Sequence, residues 1–109
     1  MKRLLFLCSQ NKLRSPSAEM LFSNVPGIEV DSAGLNNDAL TPLSPEQLHW
    51  ADLILVMEKS HLTRLNRKFK PHLKGKRVVV LNIPDEYEFM DKALMELLQR
   101  RCAPYLPHT

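Results

Sequence analysis

The chain has 109 residues, enough for one domain and too few for two that would each bury a core. With 44% hydrophobic and 25% charged residues, it has the composition of a folded globular chain, which excludes a disordered or membrane-embedded protein. Fifteen Lys and Arg against twelve Asp and Glu leave +3, a balance that favours anionic partners but lacks the excess of a dedicated nucleic-acid binder. The cysteines Cys8 and Cys102 are too few for a disulfide scaffold. The first apolar run, Leu4 to Cys8, is too short for a secretory leader or a membrane span, so the expected compartment is the reducing cytoplasm.

Leu4 to Leu7 is a continuous apolar run of the kind expected for a strand covered on both faces, and it ends at Cys8. After a polar loop, Ser15-Pro16 reads as an N-cap with proline in the first turn. Ala18, Leu21, Phe22 and Val25 then repeat at helical spacing until Pro26-Gly27. Ile28 to Asp31 is a second strand, and Ser44-Pro45-Glu46-Gln47 is a capping box opening a short helix. Asp52 to Met57 is a third, buried strand, and Trp50 is expected to start it as a core residue or cleft wall. Ser60 is the expected cap of the next helix, with Leu62, Leu65 and Phe69 on one face. Arg77 to Leu81 is the fourth strand, and a wide apolar stripe from Glu88 to about Arg101 is the last helix, ahead of Pro104.

Strands that alternate with helices imply a parallel sheet with right-handed crossovers and helices on both faces. Ligands of such sheets bind beyond the carboxyl ends of the strands. Candidate site residues should therefore sit in the loops at that edge.

The segment Cys8-Ser9-Gln10-Asn11-Lys12-Leu13-Arg14-Ser15 lies directly after a strand and before a helix, where backbone amides converge on an anion. Its form is Cys-x5-Arg-Ser. A loop of that length wraps one tetrahedral oxyanion such as phosphate or sulfate, with the sulfur beneath the central atom and the arginine fork closing two further contacts. The amides, the helix start, Arg14 and Lys12 all favour a thiolate at Cys8.

These residues resemble the low-molecular-weight protein tyrosine phosphatase family. The resemblance runs through Leu4 to Cys8, Asn11, Arg14-Ser15-Pro16, Ala18-Glu19 and Val30 to Gly34. It is strong again from Ala51 to Leu62, continues into Leu65 to Lys68, and extends over the fourth strand, Asp85 with Tyr87, and the last helix. It implies a single domain over residues 1–109 with a phosphotyrosine protein phosphatase I-like fold: α/β, three-layer αβα, with a four-stranded parallel sheet. It also implies a phosphocysteine mechanism with no metal or other cofactor, acting on phosphorylated protein or small aryl phosphates. By the same resemblance Cys8 is the nucleophile and Arg14 the phosphate clamp. Ser15 donates to the sulfur, and Asn11 holds the unusual loop conformation, a role suited to asparagine because it tolerates the left-handed region.

The family's general acid is an aspartate in a late loop, and Ile83-Pro84-Asp85-Glu86-Tyr87 supplies Asp85 after the fourth strand, at the same sheet edge as Cys8. Ser9, Gln10, Lys12 and Leu13 complete the substrate-binding loop. Tyr87 either lines the pocket, where it would stack on an aromatic phosphoester, or packs at the boundary with one face. The chain departs from the family pattern at Gln10, where glycine is usual, at Leu13, where a second cysteine is common, at Lys12, usually apolar, and at Glu86, usually proline. The segment from Gly34 to Trp50, which normally supplies one cleft wall, is shorter.

Two other functions fit the same residues. A thiol-dependent arsenate reductase uses a similar loop, but an internal relay needs two further cysteines, and Cys102, about 20 Å along its helix from the site edge, reads as a packing residue. A non-catalytic binder of phosphorylated protein or nucleic acid would use the eight Lys and Arg between Lys59 and Pro84, a stretch with no acidic residue. Such a run is otherwise the solvated face of a helix. Its one Phe, Tyr or Trp residue, Phe69, belongs to the apolar face of the helix and is not free to stack bases, so nucleic acid is not an expected partner, and with no run long enough to span it neither is a membrane. His49, His61, His72 and His108 show no zinc-ligand spacing.

Overall fold

A computed structural model describes residues 1–107, so His108 lies outside the described residues. The elements are β1 (Lys2–Cys8), α1 (Arg14–Phe22), β2 (Ile28–Gly34), α2 (Pro45–Trp50), β3 (Leu53–Val56), α3 (Lys59–Phe69), β4 (Arg77–Val80) and α4 (Lys92–Cys102). The four strands are all parallel and lie in the order β2-β1-β3-β4. Chain direction along the sheet therefore reverses between β1 and β3, and the loop after Cys8 leaves the sheet at that point, where crevices open in folds of this kind.

The apolar runs follow from burial on both faces. Leu4, Phe6 and Cys8 point into one core with Ala18 and Phe22 of α1 and Leu94, Leu98 and Cys102 of α4. Leu5 and Leu7 point into the other, with Leu48 of α2 and Leu65 of α3. The result is the expected three-layer arrangement. Phe6 and Phe22 stack at 5.8 Å between ring centroids, fixing α1 beneath the start of the loop. Burying each such side chain stabilises the fold by about 1.5–3 kcal/mol. No described helix is long and apolar enough to cross a membrane.

Several boundaries differ from expectation, each for a local reason. The Ser44 capping box is present, with Ser44 N–H donating to Gln47 Oε1 at 3.1 Å. Ser15 is not a cap: α1 begins at Arg14 after Leu13, and the Ser15 hydroxyl is occupied by Cys8 and Asn11. The helix ends at Phe22 rather than Val25, and β2 extends through Ser32 and Ala33 to Gly34 because it pairs with β1 along its whole length. Glu58, not Ser60, stands at the N-cap of α3, and its N–H donates to His61 Nδ1 at 3.1 Å.

The last helix starts at Lys92 rather than Glu88. Asp91 caps it by accepting from the Ala93 N–H at 2.9 Å, while Met90 takes a left-handed backbone (φ 61°) that a helix cannot continue through. Phe89 and Met90, expected on its apolar stripe, are consequently exposed. Pro104 falls inside a short 3₁₀ turn, Ala103–Tyr105. Trp50 closes α2 instead of opening β3. It is half-buried against the second core, with the Arg3 guanidinium 6.0 Å from its ring centroid.

Candidate active site

Beyond the carboxyl ends of β1 and β4, a cavity of about 110 Å³ is lined by Cys8, Ser9, Gln10, Lys12, Leu13, Arg14 and Asp85. Residues from the loop after β1 and the loop after β4 thus meet at one sheet edge. Asn11 and Ser15 lie beneath the loop, both buried. Tyr87 does not line the cavity; it is half-buried against the α1 and α4 core.

The loop is held from below by a ladder of polar side chains. Asn11 has φ 57°, the left-handed conformation for which asparagine is suited. That turn brings its backbone N–H to 3.2 Å from the Cys8 sulfur, while its Nδ2 donates to Ser15 Oγ and to Ser32 Oγ, both at 2.9 Å. Ser15 Oγ lies 2.9 Å from the Cys8 sulfur. Ser32 donates on to Glu19 of α1. With its Nδ2 donors so used, Asn11 cannot rotate without leaving buried polar groups unpaired, at roughly 1–3 kcal/mol each.

Gly34 explains how a loop without glycine packs so closely. A β-carbon there would stand 2.7 Å from the Ser9 carbonyl oxygen, 3.0 Å from the Asn11 nitrogen and 2.5 Å from the Ala39 β-carbon. The space is taken by the loop's own backbone. Leu35 N–H donates to the Cys8 carbonyl and Asn36 N–H to the Ser9 carbonyl, each at 2.9 Å, while Leu40 N–H reaches the Gln10 carbonyl at 3.0 Å. The chain after β2 is therefore zipped to the loop after β1.

On the other side Arg14 is buried, with Nη1 donating to Glu58 Oε2 at 2.6 Å and to the Ile83 carbonyl at 2.9 Å. Its Nε lies 3.6 Å from Asp85 Oδ1, and Asp85 itself is largely exposed. Ser17 ties the loop after β4 down, accepting from the Met90 N–H at 2.9 Å while donating to the Leu13 carbonyl at 2.6 Å. His61 is buried behind the loop, and its Nδ1 accepts from the Glu58 N–H, so Nε2 carries the proton and donates to Ser9 Oγ at 3.1 Å. Burial, helped by the nearby Arg14 and Arg64 charges and opposed by Glu58 and Asp85, pushes the His61 pKa down to about 4. The ring is neutral at neutral pH. Arg64 of α3 also donates to Ser9 Oγ, at 3.2 Å, and to Asn36 Oδ1.

No protein-family model matches the chain, and no curated protein does. Solved structures do. The tyrosine phosphatase Wzb from Escherichia coli K30, in complex with phosphate, superposes with a TM-score of 0.77 at 25% identity over 95% of each chain. A low molecular weight protein tyrosine phosphatase from Streptococcus pyogenes gives 0.78 at 15% identity over 96% of this chain and 91% of that one. This is the low-molecular-weight protein tyrosine phosphatase fold. The YwlE arginine phosphatase from Geobacillus stearothermophilus shares it too, with a TM-score of 0.73 at 21% identity over the full length of both chains.

Within this fold, Glu58, His61, Arg64, Ser32, Glu19 and Gly34 surround the loop without having been singled out as site residues from the sequence. Glu58 follows β3 at the ligand edge, so the rule that located Asp85 also points to it. The contacts of His61, Arg64 and Gly34 depend on how the helix and strand dock, for which no local pattern exists. His49 of α2 and His72, far apart in sequence, approach to 3.2 Å between ring nitrogens.

Proposed function

We propose that the protein is a cysteine-dependent phosphomonoesterase acting on protein phosphotyrosine through a phosphocysteine intermediate. The observation that carries this reading is the convergence of Cys8, Arg14 and Asp85 on one cavity sized for a phosphoryl group. An engineered apolar cavity of about 150 Å³ accepts benzene, so the smaller space here takes the phosphate and leaves the rest of the substrate on the rim.

The Cys8 thiolate attacks phosphorus, the S–P bond forms, and the P–O bond to the leaving group breaks as Asp85 delivers a proton to that oxygen. Water then attacks the phosphocysteine while the Asp85 carboxylate takes its proton, and the S–P bond breaks to release phosphate and regenerate the thiolate. Ser15 Oγ and the Asn11 N–H stabilise the sulfur anion in both steps, as their contacts allow. Arg14, locked by Glu58 and the Ile83 carbonyl, presents the remainder of its guanidinium to the phosphoryl oxygens. The loop suits free phosphate or sulfate for the same reason. The reductase reading finds no support in Cys102, which is wholly buried with its thiol pushed up to about 12 by burial. Such a group is a poor resolving nucleophile.

Hydrolysis of aryl phosphates by purified protein tests the reading. Cys8→Ser should abolish turnover, and Asp85→Asn should slow esters with poor leaving groups far more than those with good ones. Absence of wild-type turnover would remove the enzymatic reading, and equal slowing of both esters would remove Asp85 as the acid.

A further inference from the structure

The basic stretch of the sequence is not simply a solvated face. The apolar side of α3 packs Leu65 into the second core, with Leu62 and Phe69 against it. Beside it, Arg64, Arg67 and Lys68 line, with Leu35, a cavity of about 370 Å³. Lys68 Nζ donates to Asn37 Oδ1 at 2.6 Å and Arg64 donates to Asn36 Oδ1 and Ser9 Oγ, so the hydrogen-bond partners here are neutral. Among the described residues no carboxylate lies within ion-pair distance of these three cations. Uncompensated positive charge around a concave surface is a seat for an anion.

Two of its lining residues are hydrogen-bonded to the loop after β1. Leu35 is bonded through its N–H to the Cys8 carbonyl, and Arg64 to the Ser9 hydroxyl. A substrate whose phosphoryl group fills the small cavity at Cys8 must lay its remaining atoms on the loop's rim, and on this side the rim is cationic and carries no aromatic side chain. Stacking of a base has no platform there. We infer that Arg64, Arg67 and Lys68 form a subsite for an acidic side chain of the phosphoprotein substrate, an Asp or Glu within a few residues of the phosphorylated one. This rests on the phosphatase reading and narrows it from phosphorylated protein in general to sites in an acidic context.

The test uses two phosphotyrosyl peptides identical except that flanking Asp and Glu in one are Asn and Gln in the other. Wild type should favour the acidic peptide by roughly fivefold or more in kcat/KM at low ionic strength, mostly through KM, with the preference shrinking as salt is added. Arg67→Gln with Lys68→Gln should bring the ratio towards one. Lys92→Gln with Arg100→Gln, which removes the same charge from the exposed surface of α4, should leave the ratio standing. Equal rates for the two peptides in wild type would overturn the subsite. So would loss of the preference in the α4 pair to the same degree, or stronger inhibition by a single-stranded oligonucleotide than by the acidic peptide without its phosphate. Affinities of Cys8→Ser protein for the same two peptides read the preference without turnover. A binding preference for the acidic peptide in wild-type protein that turns over neither peptide would sink the enzymatic reading and uphold the subsite.

Discussion

The two flanks of the loop after β1 are built on different principles. On the β2 and α1 flank, Asn11, Ser15 and Ser32 are buried and bonded to one another, and Gly34 lets the backbones touch. On the α3 flank, Glu58, His61 and Arg64 reach the loop with ionisable groups, Glu58 and Arg64 being partly exposed. The first flank sets the shape of the loop and the second sets its electrostatics. Shape needs close packing of neutral groups in the interior, because an unpaired charge there would cost several kcal/mol, and the Glu19 carboxylate stands at the half-buried end of the ladder. Electrostatic tuning needs charge near enough to solvent to be affordable.

The sharpest way to break this contrast is Gly34→Ala. Its β-carbon would collide with the Ser9 carbonyl and the Asn11 nitrogen, which are backbone atoms and cannot swing aside. The expected cost is above about 3 kcal/mol, together with loss of phosphate binding. Denaturant unfolding and phosphate titration calorimetry check both, and a near-normal protein would show that the loop tolerates displacement.

The next largest effect concerns pH and the α3 flank. The His61 pKa is pushed below its ordinary 6.5 to about 4 in the folded protein, so between those values the unfolded chain binds a proton that the folded chain refuses. The contribution is therefore full above about pH 6.5 and is lost progressively as the pH falls towards 4, by on the order of 3 kcal/mol at most. Urea unfolding at pH 7.5 and 4.5 should show a smaller acid loss for His61→Gln than for wild type, and equal losses would remove His61 as the cause.

The smallest expected effect separates positioning from structure. Glu58→Gln keeps an oxygen for Arg14 but removes the charge that holds the guanidinium. We expect kcat on an aryl phosphate to fall about tenfold while the affinity for inorganic phosphate does not weaken, since the site becomes more positive. Parallel loss of both would mean that Glu58 merely supports the fold.

Local chemistry was legible in the sequence by itself. Continuous apolar runs marked strands covered on both faces, Ser44 to Gln47 marked a cap, and Cys8 to Ser15 marked an anion loop whose Asn11 does adopt the left-handed turn. Even Asp85 was reachable, because parallel topology sends every strand's carboxyl end to one edge. Helix starts are less legible. Ser15 and Met90 obey partners outside their own elements, the Cys8 sulfur and the Ser17 hydroxyl, that outweigh local propensity.

What only the tertiary structure decided is which residues touch the loop from outside it. Arg14 meets Glu58 across 44 positions, Ser9 meets His61 across 52 and Arg64 across 55. Gly34 faces the Ser9 and Asn11 backbone because β2 pairs in register with β1. A sequence pattern records periodicity within an element, whereas these contacts depend on the distance and angle at which whole elements pack. The sequence therefore determined which groups line the candidate site, and packing determined their alignment and the charge that surrounds them.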